Sequence, residues 1–231
     1  MLTLEEAIAA RHSVRRYQPR DLAPEAEEAL RRRIESLNAE SGLHIQLVTG
    51  EPRAFRGLAS YGVFRGVRNY LVMAGPRTPY AGEAIGRNGE KLVLLAQQTG
   101  LNSCWAGLTY RSVKPAFSLA PGERVYCLIA LGYGQESGRP RRSKRPEDVS
   151  DWTPAAPEWY RRGVEAALLA PTAVNQQRFR FRLLAPDAAG RPRVEVRRLF
   201  SLAGYTHIDL GIAKLHFEIG AGTDNFAWAG D

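Results

Sequence analysis

Apolar positions in this chain recur with helical spacing in some stretches and as short unbroken runs in others, and the two patterns take turns. Thr3-Leu4-Glu5-Glu6 is a capping-box signature, and Ala7, Ile8 and Ala10 follow on one side, so a helix is predicted over about residues 4–11. A second helix follows Pro24 and ends near Ser41-Gly42. Residues 43–48 alternate like a strand. Residues 70–74 form an apolar run that fits a buried strand closed by Gly75-Pro76. The pattern over 84–99 predicts a helix that starts loosely around Gly82, Gly86 and Gly89. It is strongly apolar at Leu92, Val93, Leu95 and Ala96 and is capped at Gly100. Residues 125–131 predict a second buried strand. Residues 138–157, rich in Pro, Arg and Ser, read as a linker. Beyond it come a helix over about 157–169, strands over about 178–185 and 193–199, a helix over about 207–221 and a short tail. Alternating helices and strands with short connections predict an α/β or α+β sandwich.

Two stretches echo one another. Gly89-Glu90-Lys91-Leu92 and Gly100 bracket one helical run, and Gly211-Ile212-Ala213-Lys214 and Gly222 bracket another of the same length. Trp105-Ala106-Gly107 follows the first and Trp228-Ala229-Gly230 the second. Matches this short arise by chance or by duplication of one unit.

Composition narrows the class. The 231 residues suffice for one domain or two small, intimately packed ones. No apolar run is long enough to span a bilayer, and the chain starts with an acidic helix, so no signal peptide is expected and a cytoplasmic location is. Cys104 and Cys127 fit a reducing compartment and cannot by themselves cage a metal, and the four histidines are too dispersed to help. The net charge of +8 invites a nucleic-acid reading. Arg31, Arg32 and Arg33, however, share their helix with Glu25, Glu27, Glu28 and Glu35, and the basic residues lack interleaved aromatics. Anionic cofactors or substrates are the better expectation; neither nucleic acid nor membrane is.

Four segments carry candidate chemistry. Arg11-His12-Ser13-Val14-Arg15 packs two guanidiniums, an imidazole and a hydroxyl where a helix ends. It reads either as an anion pocket or as a basic helix end favoured by the macrodipole. Gly100-Leu101-Asn102-Ser103-Cys104-Trp105-Ala106-Gly107 caps a helix and brings in small residues that allow close backbone approach. Arg141-Arg142-Ser143-Lys144-Arg145-Pro146-Glu147 is a phosphate-binding cluster or a solvated basic linker. Ala170-Pro171-Thr172-Ala173-Val174-Asn175-Gln176-Gln177 stops a helix and then presents polar side chains.

Together these segments resemble the nitroreductase family of FMN-dependent oxidoreductases, in which FMN lies at a dimer interface. The first is similar to the family's Arg-x-Ser-x-Arg opening and the second to its Gly-Leu-Gly-Ser-Cys-Trp segment. The third resembles its terminal basic cluster, and the fourth its Ala-Pro-Ser-x-x-Asn-x-Gln-Pro-Trp motif, with Arg178-Phe179 replacing Pro-Trp. The resemblance implies that Arg11 and Ser13, beside His12, hold the FMN phosphate and that Arg15 reaches the pyrimidine edge. It also implies that a backbone N–H of Gly107 or Leu108, next to Ala106, faces flavin N5. Lys144 and Arg145, with Arg142 as substitute, would grip the phosphate, and Pro171, Thr172 and Asn175 would contact ring and ribityl chain. Tyr61-Gly62 would meet the carbonyl edge, a position that a plain turn explains equally well.

The order of the motifs differs from the family's. The Ala-Pro-Ser motif, early in family members, is absent from residues 34–45 and appears after the basic cluster instead. This resembles a branch in which one chain carries both subunits' contributions. Residues 1–150 then form a unit with the phosphate and N5 segments, and residues 151–231 a reduced unit supplying the Ala-Pro-Thr loop. The implied fold is an α+β sandwich with a central, mostly antiparallel sheet and two half-units forming an intramolecular pseudo-dimer. One FMN per chain and a monomeric protein are expected. The implied reaction is ping-pong hydride transfer from NAD(P)H through flavin N5 to a small electron-poor acceptor such as a nitroaromatic or quinone, without a catalytic side chain. The alternatives are a flavin-binding protein with little turnover and a basic interaction protein without flavin.

Overall fold

The Thr3 hydroxyl accepts the Glu6 amide at 3.2 Å and the Glu6 carboxylate accepts the Thr3 amide at 2.8 Å, so the expected capping box starts α1 (Leu4–Ala10). The computed structural model describes residues 1–56 and 62–230. The remaining elements are α2 (Pro24–Ser41), β1 (Gln46–Val48), β2 (Asn69–Pro76), α3 (Ala81–Gln98), β3 (Asn102–Ala106) and β4 (Glu123–Gly132). After these come α4 (Pro146–Val149), α5 (Glu158–Leu168), β5 (Phe179–Leu184), β6 (Arg193–Arg198), α6 (Thr206–Ala221) and β7 (Ala227–Trp228).

The first four strands form an antiparallel sheet in the order β1-β2-β4-β3. The last three form a second sheet, β5 and β6 antiparallel with β7 parallel to β6. This is the α+β architecture, with a mostly antiparallel central sheet, that the sequence predicts. Past α1 the chain runs beside β3, where Ser13 bridges Ser103 and the Val14 N–H donates to the Ser103 carbonyl at 3.1 Å. That pairing brings the Arg11 segment to the end of the sheet.

The centre is a crossing of α3 and α6, and it decides the role of the glycines. A Cβ on Gly86 would overlap the Ile208 carbonyl, and one on Gly211 would overlap the Glu83 carbonyl. A Cβ on Gly82 would sit 2.8 Å from the His207 Cβ. Gly82 and Gly86, with Gly211, are therefore a seam along which α3 and α6 approach closely, whereas Gly89 makes room for the Trp105 ring, and α3 is helical from Ala81. Two ion pairs and a histidine–carboxylate contact tie the crossing together: Lys214–Glu83 at 2.9 Å, Arg87–Glu218 at 2.6 Å and His216–Glu90 at 2.9 Å.

Other boundaries moved for identifiable reasons. Residues 43–45 stay outside β1 because the Asn38 amide takes both backbone groups of Ile45, at 2.9 and 2.8 Å. β2 runs on through Gly75-Pro76, where it pairs with Arg124 and Glu123 and the Tyr126 hydroxyl donates to the Pro76 carbonyl at 2.6 Å. The predicted linker is docked. It holds α4, and Asp151 accepts the Leu183 N–H at 3.0 Å and the Tyr160 hydroxyl at 2.5 Å. The tail contains β7, whose Trp228 indole donates to Glu218 at 2.8 Å. Its counterpart after α3, Trp105, donates to Glu90 at 3.0 Å.

Candidate active site

A cavity of about 850 Å³ opens where the end of β3, the segment after α1, the loop after α5 and the start of α6 converge. That is within the usual size range for small-molecule sites. Its lining includes Arg11, His12, Ser13 and Arg15 from the first candidate segment, Ala106, Gly107 and Leu108 from the second, and Pro171, Thr172 and Asn175 from the fourth. Residues more than 150 positions apart in sequence thus face one space.

One end is cationic. Arg11 is 4% exposed and its Nη2 donates to the Leu169 carbonyl at 3.4 Å. Arg141 donates to the Ala170 carbonyl at 2.6 Å and also to that of Leu169. Both guanidiniums therefore gather at the C-terminal end of α5, the negative end of its dipole. Burial, followed by the repulsion of Arg11, lowers the Arg141 pKa to about 10, with Glu90 opposing. His12 is held below the ordinary imidazole value by burial and then by the charges of Arg11 and Arg141, so it is neutral at neutral pH.

Behind Arg11 lies a buried polar network. Glu90 is fully buried and sits 3.8 Å from the Arg11 Nε, which is itself buried without a hydrogen-bond partner among the described residues. The other contacts of Glu90 are the Trp105 indole and His216, whose second nitrogen lies 3.1 Å from the Ala166 carbonyl. That carbonyl can only accept, so the His216 Nδ1 carries a proton.

The other end is apolar and tightly approached. Trp105, Cys127, Ile208 and Ile212 line it, and burial pushes the Cys127 thiol pKa well up, leaving it a protonated hydrophobe. A Cβ on Gly107 would lie 2.6 Å from the Tyr205 ring, so only glycine lets that ring rest against the backbone. Tyr205 holds a left-handed φ of 59° at the start of α6.

The basic run is arranged differently from its sequence expectation. Arg142, Lys144 and Arg145 do not line the cavity. The Lys144 amide and Nζ both donate to Gln177 at 2.8 Å, the Arg142 carbonyl accepts from Asn175 at 2.7 Å, and exposed Arg145 pairs with Asp148 at 3.2 Å. Arg142 and Lys144 thus fasten the loop after α5, while Arg145 is paired to α4. Besides Arg11 and Arg15, the cations that line the cavity are Arg141 at the head of the run, Arg139 just before it, and Arg16 beside the first segment. Gly62 is exposed and its neighbours Val63 and Phe64 take the lining position; Tyr61 lies outside the described residues. Asp209, Tyr205, Ile208 and Ile212 had no sequence signal beyond sitting in or near a predicted helix.

Comparison with known proteins closes the assignment of family. A family model described as "Putative TM nitroreductase" matches residues 3–221. The chain belongs to this nitroreductase family. Among solved structures, the nitroreductase fold recurs in a protein from Thermotoga maritima described as a putative nitroreductase. The two are 22% identical, the match covers 96% of this chain and 85% of that one, and the TM-score is 0.62. The FMN and NADPH-dependent nitroreductase NfnB from a Sphingopyxis strain is 19% identical over 66% of this chain and 100% of its own, with a TM-score of 0.51. A nitroreductase from Desulfovibrio desulfuricans, solved in complex with FMN, is 22% identical over 64% of this chain and 96% of its own, with a TM-score of 0.49. No curated protein sequence matches the chain. Among the described residues, no helix is long and apolar enough to cross a membrane, and no cluster of side chains has the makings of a metal site.

Proposed function

We propose that this chain is an FMN-dependent oxidoreductase that passes electrons from NAD(P)H to a small electron-poor acceptor such as a nitroaromatic or quinone. The observation that carries the reading is the pairing of Arg11 and Arg141 at one end of a cavity whose other end is apolar. Two guanidiniums, Arg11 buried and Arg141 half-buried, beside the one buried carboxylate of Glu90 leave a positive excess, which a phosphate dianion would neutralise with charge-assisted bonds. The orphaned Arg11 Nε and the buried, unbonded Asn175 Oδ1 are further groups able to meet a polar ligand. FMN, with a phosphate at one end and a flat ring at the other, fits this donor set.

When bound, FMN supplies a two-electron carrier that accepts hydride and passes it on. The protein binds and orients. Arg11, Arg141 and Ser13 hold the phosphate end, with neutral His12 able to donate one hydrogen bond. A backbone N–H of Gly107 or Leu108 would face the reacting part of the ring, and Cys127, Ile208 and Ile212 would exclude water beside it. Arg15, exposed at the rim, stabilises negative charge that accumulates on the pyrimidine side. The segments come from both parts of one chain, residues 1–150 and 151–231, which supports a pseudo-dimer with one FMN per chain.

The purified protein should be yellow or take up FMN stoichiometrically. NADH or NADPH should bleach the bound flavin, and a nitroaromatic or quinone should restore it. Protein that stays colourless after incubation with FMN sinks the reading, whereas flavin that binds but resists both nicotinamides marks a binder rather than an enzyme. Arg15→Ala should lower the potential of the bound flavin by about 30 mV, tenfold for a two-electron couple, with little loss of affinity. An unchanged potential in a titration against reference dyes removes Arg15 from that role.

A further inference from the structure

We propose that Asp209 is the positioning residue of the cofactor-binding turn, clamping residues 172–177 onto the start of α6 in a conformation the turn would not keep alone. This rests on the FMN reading for its consequence but not for its geometry. The turn is strained: Val174, Asn175 and Gln177 have φ of 44°, 56° and 44°, in the left-handed region, and Val174 is β-branched, the type least at home there. Such backbone persists only where surrounding bonds over-determine it.

Asp209 provides those bonds. It is 3% exposed, lines the cavity, and sits in the first turn of α6. Its Oδ1 accepts the Ala173 N–H at 2.9 Å and its Oδ2 accepts the Gln176 amide at 2.6 Å. The same Gln176 nitrogen lies 2.9 Å from the Gly204 carbonyl, so one amide ties the turn both to the helix and to the loop that carries Tyr205. The Thr172 hydroxyl accepts the Gln177 N–H at 3.1 Å, and the Asn175 amide reaches the Arg142 carbonyl. Among the described residues, only Asp209 anchors the turn to α6 through a carboxylate. An acceptor with two oxygens is needed, since both turn groups are donors.

The charge is expensive for the fold. Burial raises the Asp209 pKa to about 6, the bonds from Ala173 and Gln176 lowering it in part. Among the described residues, the titratable group shown to feel the Asp209 charge is the Cys127 thiol of β4, itself raised by burial and by Asp209, and it is not a cation. Because the folded pKa lies above the unfolded one, this group favours folding most below about pH 4 and loses that contribution as pH rises through about 6. The clamp needs the carboxylate, so the turn should be held best where this residue stabilises the fold least.

Asp209→Asn separates the two effects. At pH 7.5 the variant should melt no lower than the parent, because a neutral amide removes the buried charge. It should nevertheless bind FMN about tenfold more weakly, because an NH₂ now meets the Gln176 NH₂. Between pH 7.5 and 5 the second ionisation of the FMN phosphate and His12 act in both proteins, so the parent's FMN affinity should fall more steeply through about pH 6 than that of Asp209→Asn. Amide hydrogen exchange of the apoprotein reads the clamp without flavin: residues 173–177 should exchange faster in Asp209→Asn than in the parent at pH 7.5. Unchanged exchange there overturns the proposal. Loss of melting temperature and affinity together makes Asp209 an ordinary structural residue, which also overturns it. Parent protein that takes up no FMN fails the functional reading alone, and the exchange comparison still decides the clamp.

Discussion

Arg11→Ala is expected to weaken FMN binding by about a hundredfold, close to 3 kcal/mol, the range for removing one partner of a buried charged contact. Its guanidinium is 4% exposed and fixed by Glu90 on one side and the Leu169 carbonyl on the other, so it meets a phosphate without having to be ordered first. Arg141, which also bonds the Leu169 and Ala170 carbonyls, would be left as the remaining cation of the pair, so binding should weaken rather than vanish. The substitution also leaves the Glu90 carboxylate with His216 and Trp105 alone, so the apoprotein should lose some melting temperature as well. Titrating FMN fluorescence into apoprotein measures the affinity. Arg145→Ala is the informative comparison, because that side chain is 78% exposed and paired with Asp148 away from the cavity. Affinity lost in Arg145→Ala and kept in Arg11→Ala would show that Arg145, not the α1 end, holds the phosphate.

The second large effect is structural. Gly86→Ala should destabilise the apoprotein by about 3 kcal/mol, the upper part of the range for overpacking a filled core, or roughly 6–12 °C in melting temperature. The new methyl would overlap the Ile208 carbonyl, a backbone atom that cannot rotate aside, so α6 must move as a unit. Because Ile208, Asp209 and Ile212 all line the cavity, FMN affinity should drop with the melting temperature. Gly190→Ala meets nothing within 4 Å and bears only the cost of a left-handed backbone, about 1 kcal/mol. If both glycine variants melt alike, the crossing is looser than the structure has it.

How much of the site was legible follows the distance over which each feature is determined. The α1 cap and the end of α2 are local, fixed by hydrogen bonds between residues three or four apart, and the sequence shows them. Gly100 and Pro171 likewise mark their helix ends directly. The segments at 11–15, 106–108 and 171–175 were recognisable as motifs, and they line one cavity. The basic run was recognisable too, yet its position said nothing about which cation turns inward. Lys144 turns to Gln177 and Arg145 to Asp148, while Arg141 turns to the end of α5. Each choice depends on a partner brought near by folding rather than by spacing.

By itself the sequence determined the family, the alternation of helices and strands, and the residue types that can hold an anion beside a flat apolar ring. The tertiary structure alone decided that Gly86 and Gly211 form a contact seam, that Arg139 and Arg141 rather than Arg142, Lys144 and Arg145 face the cavity, and that Asp209 reaches across it to the strained turn. Periodicity and spacing record which face of an element is buried, because that is repeated along the chain. Which atom a buried polar group meets is not repeated anywhere. It is settled once, when α3 and α6 cross and every donor and carboxylate withdrawn from water must find a partner at that crossing or around the cavity beside it.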